Sequence, residues 1–417
     1  MPDPLDDLPD GEAVLRDRVS ALVAVAVDGP REDRLSAVYD LASIAEAHPE
    51  VVSSAASELR PALMEADDPV REATALVFAT IGGSAPETVL PVAEDLAALL
   101  AGTATSANNA LIALMPVLES SPEQTLDALE DHREAMRTLA TSDVATIRQR
   151  ATRLLLAFAG FRPASIAEPE TVSALLDVLE RTTPDHPAEI PERSDGVTRQ
   201  FDEFVTFQER REQQREATAR EMAALALAEL AAERPSAFEG EVDRLVTFVD
   251  DRDPTVRAGT IDAVGRVAPV DRVASETAIP PLVALLVEEG RWPEIRSKAA
   301  TALGLLAEVH PQSLVDAVEP HVEELRELLW ADDEGVRGGG VGLLAYLAEA
   351  DPSLARPARD RLLELLDDDA PFVRGNAALT LGFLDEPELE EQLRTLSRTD
   401  PDETVRRTAA QAVDELA

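Results

Sequence analysis

Small and apolar positions recur in a fixed order along the chain. In ten segments a small residue is followed by an apolar residue four positions later and by another three positions after that. Residues three and four apart share one face of an α-helix, so each segment predicts a helix with one buried stripe. The small residues are Ala37, Thr74, Ala110, Ala151, Ala223, Thr260, Ala299, Gly340, Ala377 and Ala409.

An arginine precedes the small residue by three positions in nine of the ten segments, and we number each repeat from it. These arginines are Arg34, Arg71, Arg148, Arg220, Arg257, Arg296, Arg337, Arg374 and Arg406, and Ala107 takes the position in the third repeat. Successive positions are separated by 37, 36, 41, 72, 37, 39, 41, 37 and 32 residues. A sustained period of this length predicts one supersecondary unit stacked along an axis.

We call the helix that carries the register position the B helix. A second amphipathic helix, the A helix, is predicted before each B helix. The predicted A helices cover 11–27, 50–65, 86–101, 122–140, 168–181, 236–250, 276–288, 311–330, 352–366 and 386–398. Seven of them begin at, or within five residues after, a proline that lies fifteen residues after the register position. These prolines are Pro49, Pro86, Pro122, Pro163, Pro235, Pro311 and Pro352. Proline is tolerated in the first helical turn, so each one predicts the start of an A helix.

The pattern Asp-Pro-Asp-x-x-Val-Arg-x-x-Ala at 400–409, nearly intact at 251–260, resembles the HEAT repeat. The resemblance covers the chain outside 182–213. It implies an all-α fold, a right-handed α-solenoid of about ten HEAT-like helix pairs with one insertion.

The resemblance also implies a ladder of ion pairs between neighbouring repeats. In it the register arginines would pair with acids of the A–B turns, namely Asp68, Asp251, Asp253, Asp332, Asp333, Asp368 and Asp400. We expect interruptions in the third repeat, where Ala107 replaces the arginine, and in the seventh, whose turn holds Trp292.

The spacing of 72 residues marks an insertion in the fifth repeat. Residues 182–197 are rich in proline and acids, which is typical of an exposed loop. Phe201, Phe204 and Phe207 follow in a charged helical stretch, where they either pack on the adjacent repeats or bind a partner. The predicted organisation is therefore HEAT-like repeats over 1–181, an insertion over 182–213 and further repeats over 214–417.

The charge balance limits the environments in which we expect the protein to be stable. Asp and Glu number 81 against 38 Lys and Arg, the net charge is −43, and Lys298 is the only lysine. Repulsion between so many negative charges destabilises a fold unless salt screens it. At molar salt the Debye length falls to about 3 Å. This composition resembles salt-adapted, haloarchaeal proteins. The acidic N-terminal segment lacks signal-peptide features, and the short apolar run after it cannot span a membrane, so we expect a cytoplasmic location.

The sequence offers few groups with catalytic chemistry. There is no cysteine, and none of the five histidines precedes a glutamate or lies one helical turn from another. The acid clusters lack the spacing of an EF-hand loop.

Gly338, Gly339, Gly340 and Gly342 follow no strand, so we expect them to allow a neighbouring helix, or alternatively a partner's backbone, to approach closely. Nucleic-acid binding is disfavoured because acidic residues are in excess. We expect no enzyme, cofactor or metal site.

The leading interpretation is a non-enzymatic scaffold or adaptor that binds a protein partner along its B helices, without contact to nucleic acid or membrane. Two alternatives rest on analogy: a HEAT-like lyase-type or regulatory subunit of an enzyme complex, and an adaptor in taxis signalling. The partner-binding candidates are Phe201, Phe204, Phe207, Trp292, Gly338 and Gly339, where the register is broken.

Overall fold

A computed structural model describes residues 11–65, 67–181, 196–288 and 292–416, with the side chains of 196–207 excepted. The secondary structure in these residues is helical throughout, with no strand. The chain forms two compact units, Met1–Ala223 and Ala224–Ala417. The three-part organisation predicted from the sequence is not tested by this division and stays a prediction.

The ten predicted B helices are all present in the described residues. Nine of them begin three residues before the register position, and the fifth begins 24 residues before it, at Gly196. Their bounds are Arg31–Ala47, Asp68–Gly82, Ala104–Ser120, Ala145–Phe161, Gly196–Glu233, Pro254–Val267, Pro293–Val309, Glu334–Ala350, Pro371–Gly382 and Glu403–Glu415. Within each compact unit, successive B helices pack against one another. The boundary between the compact units falls within Gly196–Glu233.

The A helices lie where the sequence predicts them, but most are broken into two segments. Their α-helical segments are Gly11–Asp28; Pro49–Ser53 and Ala56–Leu63; Pro86–Val89 and Ala93–Ala98; Pro122–Leu129 and Arg133–Ala140; Pro163–Ile166 and Pro169–Glu180; Val242–Val246; Arg272–Glu276 and Ile279–Val287; Pro311–Val318 and Val322–Leu328; Pro352–Ala355 and Arg359–Leu365; and Glu390–Thr399. Several breaks are single 3₁₀ turns, such as Glu319–His321. Prolines at 320 and 357 fit these breaks because their missing N–H cannot continue an α-helix.

The predicted stripe forms the core. The residues three, seven and ten positions after the register residue are buried in the first nine repeats, whereas Val413 and Leu416 in the tenth are half-buried. Small residues in the first of these positions let adjacent helices approach closely, and the apolar residues in the other two fill the space between A and B helices. The predicted fold class, an all-α solenoid of helix pairs, is confirmed.

Candidate functional site

One acidic residue in each of the last two A–B turns, those of the ninth and tenth repeats, joins three parts of the structure. Asp400 lies six residues before Arg406, and its carbonyl accepts a hydrogen bond from Arg406 Nη1 at 2.7 Å. Its Oδ1 accepts the backbone N–H of Asp402 at 2.8 Å. Both carboxylate oxygens accept from Arg374 of the preceding repeat, from Nε at 2.8 Å and from Nη2 at 2.9 Å. We call this place, six residues before the register arginine, the bridge position.

Asp368 has the same geometry one repeat earlier. Its carbonyl accepts from Arg374 Nη1 at 2.8 Å, and its Oδ1 accepts the N–H of Ala370 at 2.9 Å. Its carboxylate accepts Arg337 Nε at 2.7 Å and Nη2 at 3.0 Å. Each arginine therefore closes its own turn with one nitrogen and holds the next repeat with two others. Bidentate arginine–carboxylate pairs of this kind are stronger and more directional than single hydrogen bonds.

These contacts hold the bridge carboxylates in their charged form. The hydrogen bond from Arg374 lowers the pKa of Asp400, against the opposing effect of burial. Burial acts to raise the pKa of Asp368, but the hydrogen bonds from Arg337 and the Ala370 amide bring it below its usual value. The stability that each carboxylate contributes is thus present above its unfolded pKa and lost as the pH falls through the lowered folded value.

The bridge is interrupted where its position holds no carboxylate. Two such residues are Ala101 in the third repeat and Ala331 in the eighth, and Ser142 and Gln214 take the position in the fourth and fifth. Arg71, which would reach the first of these, instead contacts Asp68 within its own repeat. Arg296, which would reach the second, donates from Nε to the Leu286 carbonyl at 2.8 Å.

Asp253 and Asp333 differ from the expectation that they pair with arginine. Each lies four residues before the register position and caps the N-terminus of its B helix. Asp253 Oδ1 accepts the N–H groups of Thr255 and Val256 at 2.8 and 3.1 Å, and Asp333 Oδ1 accepts that of Val336 at 2.9 Å. A short carboxylate at an N-cap reaches the first-turn amides, which lack partners within the helix. Asp332 meets Arg337 through its backbone carbonyl.

Two glutamates that sequence reasoning did not select also form ion pairs with register arginines. Arg34 contacts Glu65, which occupies the bridge position of the second repeat. Arg148 contacts Glu216 on the long fifth B helix, and both residues are buried. The spacing of six identifies Glu65 in the sequence. Glu216 lies 68 residues from Arg148, beyond the insertion, so no spacing could identify it.

Arg257 and Arg220 contact backbone carbonyls within their own repeats. Arg257 Nη1 donates to the Asp251 carbonyl at 2.9 Å, and Arg220 Nε donates to that of Leu179 at 2.9 Å. Asp251 Oδ1 accepts the N–H of Asp253 at 2.9 Å, as at the other bridge aspartates.

The glycine run lines a groove on the B helices of repeats seven to nine, which we call the glycine groove. Its volume is about 650 Å³. A Cβ on Gly339 would lie 2.2 Å from Ala300 Cβ, and one on Gly340 would lie 2.7 Å from Leu328 Cβ. These two glycines therefore allow neighbouring helices to approach, as the sequence suggested. Gly338, Gly339 and Gly342 line the groove and contribute no side chain to it.

The walls of the glycine groove combine aromatic and polar side chains. Phe372 lies over Gly338 and is 47% exposed, and Tyr346 lines the groove as well. Asn376 Nδ2 donates to the Gly338 carbonyl at 3.0 Å, which fixes the amide at the edge. Asp333 and Glu334 line another part of the groove and make it acidic.

Trp292 lines a second groove, on the B helices of repeats five to seven. This tryptophan groove has a volume of about 230 Å³ and is also lined by Leu225, Ala258 and Lys298. Trp292 is 63% exposed. Lys298 is paired with Asp262 and so adds no unbalanced charge. The structure thus places Trp292, Gly338 and Gly339, three residues selected from the sequence, on grooves between B helices.

Phe201, Phe204 and Phe207 belong to the long helix Gly196–Glu233, but their side chains lie outside the described residues. Among the described residues no group of three or more His, Asp or Glu side chains is placed to hold a metal ion. His310 is buried in a turn, with Nε2 3.0 Å from Ser275 Oγ, and burial lowers its pKa. No described helix is both long enough and apolar enough to cross a membrane.

Comparison with known proteins supports the fold. Residues 322–414 match the sequence model of a family described as HEAT repeats. A comparison with curated proteins gave no match. The chain is similar to the crystal structure of an engineered protein, with 22% identity, a TM-score of 0.63 and coverage of 96% of this chain and 98% of that one.

A second similar structure comes from a study of a phosphorylation switch that controls the interaction between cadherin and beta-catenin. It has 12% identity and a TM-score of 0.70, and the match covers 95% of this chain and 80% of that one. At these identities the likeness shows the fold alone. The chain therefore has an all-α solenoid fold, in which residues 322–414 match the HEAT-repeat model.

Proposed function

We propose that the protein is a non-enzymatic scaffold that binds a segment of a protein partner in the two B-helix grooves of its C-terminal compact unit. The observation that carries the proposal is the exposure of Trp292 and Phe372 beside grooves that small residues also line. Large aromatic side chains are costly to leave in water and are enriched at the centres of protein interfaces.

The chemistry of the grooves supports a particular kind of segment. Phe372 and Tyr346 offer ring surfaces to an apolar side chain, while Asp333 and Glu334 lie in the same groove. A segment with an apolar residue flanked by arginine or lysine matches both features, since complementary charge favours the correct partner and its orientation. Residues 182–213 remain a second candidate contact, proposed because they break the repeat.

We further propose that the scaffold works in a salt-adapted cytoplasm, as the net charge of −43 and the single lysine suggest. High salt weakens exposed ion pairs but also strengthens apolar burial. A partner held there should therefore depend on its apolar contacts more than on its charges. Substitution of the aromatic residues is therefore the most direct test of the interaction.

The two tryptophans of the chain form a matched pair for a test. Trp292 lines a groove, whereas Trp330 is 60% exposed and lies beside Arg361, with 5.5 Å from the guanidinium carbon to the ring centroid. We expect a pull-down in molar KCl to recover a stoichiometric protein with the wild type and with Trp330→Ala, but at least about tenfold less with Trp292→Ala, as for a truncated hot spot. Equal recovery by both variants would remove the grooves from the proposal.

A further inference from the structure

The register arginine of the tenth repeat contacts no carboxylate in the described part of the chain. Arg406 Nη1 donates to the carbonyls of Asp400 and Pro401, at 2.7 and 3.1 Å, which closes its own turn. Arg337 and Arg374 close their turns in the same way, and their Nε and Nη2 also hold the bridge carboxylate of the next repeat. The Nε and Nη2 of Arg406 therefore remain as donors for a further carboxylate.

Asp28, in the bridge position of the first repeat, is the complementary group. It lies six residues before Arg34 and is exposed. In the same position of the tenth repeat, Asp400 is 6% exposed and accepts two hydrogen bonds from Arg374. Within the described residues the Asp28 carboxylate has no such partner. The first repeat thus presents the acceptor, and the tenth the donors, of a contact that joins repeats elsewhere in the chain.

Later repeats show which side of an A helix meets the preceding repeat. Fourteen residues before the bridge position of the tenth repeat, Glu386 accepts from Arg359 Nε of the ninth at 2.5 Å. Seven residues before the bridge position of the ninth repeat, Arg361 Nε donates to the Leu329 carbonyl of the eighth at 3.1 Å. The places seven and fourteen residues before the bridge position thus lie on the side of the preceding repeat.

In the first repeat these places hold apolar side chains that are exposed. Val14 and Ala21 lie fourteen and seven residues before Asp28, so all three share one face of the first A helix. Val14 is 52% exposed, and Ala21 is exposed as well. In the tenth repeat Val413 and Leu416 are only half-buried. Each of the two repeats therefore presents apolar side chains and one charged group, and the two charges have opposite signs.

We propose that the tenth repeat of one copy of this chain binds the first repeat of a second copy, with Arg406 and Asp28 forming the bridge between them. The contact repeats the junction that Arg374 and Asp400 form between the ninth and tenth repeats. It is head to tail, so a dimer keeps one free surface of each kind and binds further copies. Both grooves of the proposed function lie in repeats five to nine, so either proposal can fail without the other.

Molar salt favours this contact in spite of the net charge of −43 on each copy. The Debye length is then about 3 Å, so repulsion between distant charges of the two copies is screened. Salt also strengthens the burial of apolar side chains. A charge pair enclosed by such side chains is screened much less than an exposed pair, so the bridge persists.

Sedimentation equilibrium of the full chain in molar KCl measures the association. We expect the average mass to rise between about 1 and about 100 μM protein. Arg406→Gln and Asp28→Asn should each weaken the association at least about thirtyfold, because each leaves one charge unpaired in the contact. The control is Arg16→Gln, because Arg16 pairs with Glu12 at 2.7 Å on the side of the first A helix away from Val14. A wild type that stays monomeric over this range, or equal weakening by the control, would overturn the proposal.

An exchange of the two charges tests the pair itself and does not depend on the folding of one variant. Arg406→Asp alone brings two carboxylates together, and Asp28→Arg alone brings two guanidinium groups together, so each variant should stay monomeric. An equal mixture should associate about as strongly as the wild type, since the tenth repeat of either variant then meets a first repeat of opposite charge. Trp292→Ala, which changes a groove, should associate like the wild type. If the mixture stays monomeric while the wild type associates, Arg406 and Asp28 do not meet.

Discussion

At the scale of single residues, Asp400 and Asp402 show how neighbouring acids in one turn take different tasks. Asp400 bridges two repeats and is 6% exposed, whereas Asp402 caps a B helix through the N–H groups of Thr404 and Val405. The sequence indicates that the turns are acidic and that arginines recur beside them. It cannot show which acid faces the preceding repeat, because that depends on how one turn stacks on the next.

We expect Asp400→Ala to lower the free energy of unfolding by about 3–5 kcal/mol, because it leaves the buried charge of Arg374 without a partner. Asp402→Ala, the matched control, should cost about 1 kcal/mol through the loss of an N-cap. Denaturant titration in molar KCl measures both. Equal losses would show that the bridge adds nothing beyond capping.

At the scale of elements, the helices were predictable and their interruptions only in part. Hydrophobic spacing and the prolines predict the A and B helices, since both patterns act locally. Pro320 and Pro357 mark two of the broken A helices, but the break at Glu130–His132 has no proline in it. The grooves were not predictable, because Phe372 meets Gly338 only through the packing of consecutive repeats.

One buried ion pair, between Arg148 and Glu216, joins the long helix Gly196–Glu233 to the fourth repeat. Glu216→Gln keeps the shape of the side chain but leaves Arg148, which is 4% exposed, as an uncompensated buried charge. We expect a loss of about 3–5 kcal/mol, together with faster amide hydrogen exchange in Ala145–Phe161. Glu212→Gln on the exposed side of the same helix is the control, and an equal effect there would contradict this role for the pair.

At the scale of the whole molecule, charge decides the conditions under which the fold is stable. With a net charge of −43, self-repulsion opposes folding unless salt screens it. We expect the helical circular dichroism signal to collapse as KCl falls from molar to about 0.1 M, where the Debye length lengthens to about 10 Å. Sodium chloride at matched ionic strength should substitute for KCl. A spectrum and unfolding midpoint that do not change with salt would count against salt adaptation.

Site-specific photocrosslinking tests most directly whether the B-helix grooves hold a protein partner. A photoreactive phenylalanine analogue is placed at 372, in the glycine groove, or at 330, outside both grooves, and cell extract is irradiated in molar KCl. We predict one discrete protein adduct from position 372 and none from position 330. Adducts of equal yield at both positions, or none at 372, would contradict binding in the grooves.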